Sequence, residues 1–330
     1  HNTGEGGLSP YHLKHGGDLV WQIGTGYFGC RKKEGGFSDE LFQKNAAKES
    51  VKMIEIKLSQ GAKPGHGGIL PASKVTEEIA EIRNVPVGKD VLSPPAHEAF
   101  SNFKEMLMQL SPYLTPEHIL IHGTKGLHIE VDIEKVEKLD RKDVLTMSEL
   151  ILKETSVVRV GCIAGPNLAK ELSDKQIGGT VIASRYNDVV REGKEALNSS
   201  IFRVYGSNEI RGVELASVLK NYIAIAAGML HGMGFGDNSK ALLITRGMAE
   251  MVFFGKAFGA SERPFMGLAG IGDLMATCNS KLSRNFTVGY NLSQGKSMQE
   301  ILAATNEVAE GVKTVKVVKL LQEYKFNSPL

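Results

Sequence analysis

Between Val213 and Leu230 nearly every residue is apolar, and this stretch restricts the fold more than any other feature of the 330-residue chain. At helical spacing it needs neighbours on most sides, so its few polar residues acquire meaning. Glu214, Ser217, Lys220 and Asn221 fall within neighbouring turns of one side. Two readings of this narrow stripe stay open. It faces water, or it lines a cleft in which a partly desolvated Lys220 ammonium has its pKa lowered and passes a proton to a developing alkoxide, as carbonyl reduction requires. No apolar run reaches the roughly 18 residues of a membrane span, and residues 1–15 lack the regions of a signal peptide. The chain reads as soluble.

Its texture changes near residue 102. Before that point the sequence is rich in glycine and loops, with GEGG at 4–7, GTGYFG at 24–29 and AKPGHGG at 62–68. Short apolar runs at 19–23 and 51–58 suit strands that feed loops of an α/β scaffold. Afterwards the pattern predicts a helix over 103–110, a strand over 119–122, a helix over 146–154, and strands over 157–164 and 180–183. Past Glu209 long periodic segments at 212–230, 239–259, 298–304 and 311–324 predict a helical domain. The fold class is therefore α/β followed by all-α. Three domains are expected, 1–102, 103–208 and 209–330.

A net charge of +2, with Lys and Arg scattered throughout, offers no basic face to nucleic acid, so small molecules are the expected partners. Cys30, Cys162 and Cys278 are far apart and match no zinc or disulfide spacing, which suits a reducing cytoplasm. His12 and His15 have no third ligand nearby, so no metal is expected. A second cluster, GLAGIGDLMATCNSKLSRN at 267–285, alternates glycines with single polar groups. Such a loop approaches a ligand closely, and Ser283, Arg284 and Asn285 supply a hydroxyl, a planar fork and an amide suited to a phosphate dianion. The other reading is a charged surface pair in a flexible loop. Gly24, Gly26 and Gly29 spell G-x-G-x-x-G after an apolar run. Gly35 and Gly36, however, fall where a dinucleotide helix should run, and no acidic residue closes a second strand at the expected distance.

GVELASVLKNYIAIAAGMLHGMGFGDNSKA, GIGDLMATC, SRN and NEVAEGVKT together resemble the C-terminal domain of NAD(P)-dependent glycerol-3-phosphate dehydrogenase, and the likeness runs from about Phe103 to Leu330. The resemblance implies a Rossmann-like α/β part, here incomplete, and a helical domain. It implies that Lys220 exchanges the proton at the substrate oxygen, with Asn221 beside it. Asp273 would orient that lysine, Thr277 would line the pocket, and Ser283, Arg284 and Asn285 would hold the phosphate. TKGL would put Lys125 at the junction of cofactor and substrate. AGPNLAKE would put Gly165 and Asn167 around the substrate and Ala169 at the cofactor. Arg284, Val308 and Glu310 would also touch the cofactor, NAD or NADP. Asn167 departs from the family, which usually has a small hydroxyl residue there. The implied reaction interconverts dihydroxyacetone phosphate and sn-glycerol 3-phosphate, a precursor of glycerophospholipids, and a homodimer is among the assemblies the family allows.

The opening hundred residues do not match that family. NTGEGGLSPYH, QIGTGYFGCR and KLSQGAKPGHGGILPASKVTEEIAEIR resemble, in order, the FMN-binding barrel of glutamate synthase. That resemblance would place Glu5, Gln22, Lys57, Gln60 and Lys63 near a flavin and 2-oxoglutarate, and it implies a partial TIM-barrel fragment. FMN is expected only if this fragment were functional. The chain thus reads as a junction of two incomplete enzymes: a dehydrogenase without its opening β-α-β unit, or alternatively an FMN-dependent glutamate synthase or a non-catalytic chimera.

Overall fold

The computed structural model describes residues 1–58, 67–305 and 310–321. These form two compact units, divided between Met106 and Leu107. In the first, α1 (Pro10–Leu13) precedes a β-α-β unit of β1 (Leu19–Ile23), α2 (Asp39–Ala46) and β2 (Val51–Ile56), whose strands pair in parallel. Trp21 and Ile23 face inward against Tyr27, Cys30, Phe37 and Phe42. β3 (Gly68–Leu70), α3 (Glu77–Arg83) and β4 (Val91–Ser93) follow, and β3 and β4 pair as an antiparallel ribbon. Two residues of the glutamate synthase-like set, Gln60 and Lys63, lie outside the described residues.

The glycine run after β1 does not form a phosphate cradle. A Cβ at Gly24 would lie 2.6 Å from the Glu5 carboxylate, and one at Gly26 would lie 2.7 Å from Ser93 Oγ, so the chain's own side chains fill the loop. The next helix, α2, begins only at Asp39 behind its N-cap Ser38, so its free N–H groups open well beyond the glycines. Glu5 is paired with Lys57.

His97 of this unit is buried, stacked on Phe100 at 4.5 Å, with Nε2 2.8 Å from the Lys57 carbonyl. Burial holds its pKa below the usual 6.5, the backbone contact opposing this more weakly. The unfolded chain therefore binds a proton that the folded chain refuses. Stability should fall as pH drops below about 6.5 and stop falling on this account below the depressed folded value. Thermal unfolding between pH 7.5 and 5 checks this: His97→Phe should flatten the dependence, and an unchanged slope would remove His97 as its cause.

Leading into the second unit, α4 (Phe103–Leu110) matches the expected helix and carries the division between the two units. β5 (Ile119–His122), β6 (Leu127–Ile129), β7 (Val144–Thr146), α5 (Met147–Glu154), β8 (Arg159–Ala164), α6 (Ala169–Ser173), β9 (Gly178–Ser184), α7 (Asn187–Leu197) and β10 (Phe202–Ser207) come next. Four strands form one sheet in the order β10-β9-β8-β5, with β8 and β9 antiparallel and the outer pairs parallel. The α/β expectation holds. β6, β7, α6, α7 and β10 were not expected: β6 and β7 are three-residue strands, α6 has five residues, and Asn187–Leu197 has only a narrow apolar stripe.

Helices complete this unit: α8 (Ile210–Gly232), α9 (Asp237–Ala257), α10 (Asp273–Asn279), α11 (Arg284–Ser293), α12 (Met298–Thr305) and α13 (Glu310–Leu320). Contrary to the expectation that no apolar run reaches span length, α8 is long and apolar enough to cross a membrane, yet 78% of its apolar window is buried inside the protein. Its neighbours α9, α10, α11 and α13 wrap it, and Leu215, Leu219, Ile223 and Ala227 meet Met251, Phe254, Leu274 and Phe286. Each leucine so buried contributes about 1.5–3 kcal/mol. α8 and α11 touch backbone to backbone: a Cβ at Gly228 would lie 2.0 Å from the Phe286 carbonyl oxygen, and one at Gly289 would lie 1.8 Å from that of Ile225. Only glycine admits that approach.

Candidate functional site

Since α8 is enclosed, its polar stripe cannot face water. Glu214, Ser217, Lys220 and Asn221 are all buried, with Lys220 at 5% exposure, which decides between the two readings of the stripe in favour of the interior. An ammonium there needs partners. Lys220 Nζ lies 3.0 Å from Asp273 Oδ1 and donates to Thr277 Oγ1 at 2.6 Å. Thr277 in turn donates to the Asp273 backbone carbonyl one turn earlier at 2.6 Å. Lys125, on the loop after β5, donates to the other oxygen, Asp273 Oδ2, at 2.8 Å. One carboxylate thus bridges two ammonium groups.

The charge balance favours a labile proton. Burial is the main cause that lowers the Lys220 pKa, and the positive charge of Lys125 lowers it further, while Asp273 and Glu310 pull it up. Two of the three Lys220 N–H bonds have these partners among the described residues, so a third can meet a ligand oxygen.

The segment 267–285 is not a loop. Residues Leu268–Gly272 form a π-turn, Asp273 starts α10, and Ser283 caps α11 by accepting from the Phe286 N–H at 3.3 Å. Arg284 and Asn285 are therefore the first residues of a ten-residue helix, whose unbonded N–H groups and dipole add to their own donors. A serine ahead of a helical pattern signals such a cap, a feature the glycine-dominated reading passed over. Ser283 and Asn285 are buried and Arg284 is exposed.

Asn221, Asn285 and Glu310 also come together. Asn221 Nδ2 lies 3.4 Å from Glu310 Oε2, and Asn285 Oδ1 accepts from the Gly311 N–H at 3.1 Å. Glu310 keeps much of its surface in water, yet the protein crowds its carboxyl: desolvation raises its pKa, and Lys125, Lys220 and Arg284 act against that rise. Gly165, Asn167 and Ala169 sit at the β8–α6 turn. Asn167 Nδ2 donates to Thr180 Oγ1 at 3.0 Å, and Thr180 donates to the Ala164 carbonyl at 3.0 Å. Gly165 holds φ +154 with Thr180 against it. Val308 lies outside the described residues.

An α/β sheet is thus followed by a helical bundle with a lysine-carboxylate centre on its core helix. The chain belongs to the NAD(P)-dependent glycerol-3-phosphate dehydrogenase family. Residues 209–330 match the model of the NAD-dependent glycerol-3-phosphate dehydrogenase C-terminus and residues 99–190 that of its N-terminus. Residues 1–114 match a conserved region in glutamate synthase. A glycerol-3-phosphate dehydrogenase [NAD(P)+] of Pseudomonas syringae pv. tomato is 45% identical over 227 residues, 68% of this chain and 67% of that protein. One of Teredinibacter turnerae is 40% identical over 218 residues, 66% of this chain and 61% of that protein. Against the first relatives matched, this chain spans about three fifths of their length. The crystal structure of glycerol-3-phosphate dehydrogenase from Coxiella burnetii shares the fold, with a TM-score of 0.63 and 24% identity over 94% of this chain and 84% of that one.

Proposed function

We propose that residues 103–330 carry the substrate-binding and proton-transfer half of an NAD(P)H-dependent glycerol-3-phosphate dehydrogenase, interconverting dihydroxyacetone phosphate and sn-glycerol 3-phosphate. The observation that carries this is the buried Lys220 sharing Asp273 with Lys125. On this reading Ser283, Arg284 and Asn285, at the α11 N-terminus, hold the phosphate dianion, and Asn221 flanks the bound chain. Lys220 gives its proton to the oxygen of the reduced carbonyl, and Asp273, Thr277 and Lys125 hold it in place for that transfer. Glu310, Val308, Ala169, Gly165 and Asn167 belong to the surroundings of the cofactor and substrate.

For NAD or NADP the fit is divided. The chemistry such a cofactor supplies is the hydride, but the glycine run at 24–29, filled by Glu5 and Ser93, does not fit its pyrophosphate. Residues 1–102 form a separate fragment in this reading, 103–208 the α/β part and 209–330 the helical part. The match to glutamate synthase supports a chimeric origin, without bringing FMN to this chain. Three free, buried cysteines support a reducing, cytoplasmic setting.

Binding tests the reading without turnover. Titration calorimetry of the whole chain with glycerol 3-phosphate should show Arg284→Lys weakening affinity by about tenfold, since lysine keeps the charge and loses the bidentate fork. Unchanged affinity would remove the phosphate assignment at 283–285. Binding without any turnover, even after the opening segment is restored, would favour a non-catalytic chimera.

A further inference from the structure

Lys125 stands on a short loop, 123–126, between β5 and β6, and both roots of that loop lead to one buried carboxylate. At the upstream root His122, the last residue of β5, is buried, and its Nε2 lies 3.1 Å from Glu214 Oε1, off the hydrogen-bond direction. At the downstream root Leu127 pairs across the β6–β7 ribbon with Thr146. Thr146 caps α5, and two residues on, Ser148 gives Glu214 its backbone N–H at 2.8 Å and its hydroxyl as well. Thr146 Oγ1 is 3.2 Å from that hydroxyl oxygen.

Glu214 itself is 4% exposed and sits on α8, six residues before Lys220. Burying a carboxylate on a largely apolar helix costs several kcal/mol that an apolar residue would not. Packing alone gives no reason for it. What the carboxylate does is bond α8 to Ser148, two residues past the strand partner of the downstream root, and bring it against His122 at the upstream root.

We propose that Glu214 is a positioning residue for the two-lysine centre: by gripping Ser148 behind the ribbon that carries the downstream root, and by lying against His122 at the upstream root, it sets Lys125 Nζ on Asp273 beside Lys220. Its relevance to the reaction rests on the dehydrogenase reading above, whereas the placement of Lys125 is measurable whether or not the chain turns over. Removing the grip should free Lys125 while Lys220, held by Asp273 and Thr277 within the helical bundle, stays shielded.

Trace acetylation of the whole purified chain with acetic anhydride, read lysine by lysine by peptide mass spectrometry, separates these outcomes. In Glu214→Ala the labelling rate of Lys125 should rise about fivefold, with Lys220 and the exposed Lys44 and Lys135 within about twofold of their original rates. Glu214→Gln, which still accepts from the Ser148 N–H, should return Lys125 at least halfway. If Glu214→Ala does not fold, Ser148→Ala removes one donor and should still raise Lys125 labelling above that of the controls. Lys125 unchanged in the folded variants, or Lys125 and Lys220 rising together, would overturn the proposal. Dehydrogenase activity, assayed separately after the opening segment is restored, tests the underlying reading: its absence would leave the labelling result standing as a statement about Lys125 alone.

Discussion

Lys220→Ala should lower the reduction of dihydroxyacetone phosphate by about 10²–10⁴-fold, the usual worth of a positioned general acid. Alanine is a strong helix former, so α8 keeps its backbone. The loss falls on the proton, and the remaining partners are left mismatched, because Asp273 keeps Lys125 but loses its second ammonium. A pH profile gives a further check. Burial lowers the Lys220 pKa from the usual 10.5, so the protonated donor is lost as pH rises through that lowered value. Reduction should decline along that limb, and the residual activity of the variant should lack it. The assay needs a chain that turns over, such as one in which the opening segment of an intact family member replaces residues 1–102. Near-full kcat/KM in Lys220→Ala would take this lysine out of the mechanism.

Grafting the opening segment of an intact family member in place of residues 1–102 should raise NADH oxidation with dihydroxyacetone phosphate by at least about 10³-fold over the chain as it stands. Pyrophosphate binding in dinucleotide folds depends on a glycine turn leading directly into a helix N-terminus. Here the Glu5 carboxylate fills the turn, and the helix opens only after Ser38. Nothing in the α/β part replaces that cradle: α6 has five residues, and Gly165 is packed on Thr180. The ungrafted chain should accordingly bind NADH weakly by fluorescence titration. Robust turnover before grafting would show that residues 1–102 do build a dinucleotide site, and the reading that this segment cannot hold the pyrophosphate would fall.

The fold is most legible in the sequence where one period dominates. α8, α9 and the helix at Phe103 follow from apolar spacing, and the family motifs bring Lys125, Lys220, Asp273 and Thr277 into one list before the fold brings them into contact. What spacing cannot give is the direction in which a polar stripe points. That depends on how many neighbours enclose α8, a long-range property of α9, α10, α11 and α13. Glycine density misleads at 267–285: the segment turns into helix, and Gly270 serves close packing, a Cβ there lying 2.0 Å from the Phe265 carbonyl oxygen. Asn167 shows another limit: its amide is engaged by Thr180, thirteen residues away on β9, and no local pattern announces that pairing.

The contact at Gly228 and Gly289 also bears on selectivity. Peptide groups of α8 and α11 meet there with no side chain between them, so the crossing cannot slide or repack without steric clash. Lys220 lies two turns before that crossing on one helix and Ser283 caps the other, so on the proposed reading the span from proton donor to phosphate grip is fixed by main chain. The pair then works as a gauge of substrate length. A phosphate ester with one carbon more or fewer between phosphorus and carbonyl would bind at one end and present the wrong atom at the other.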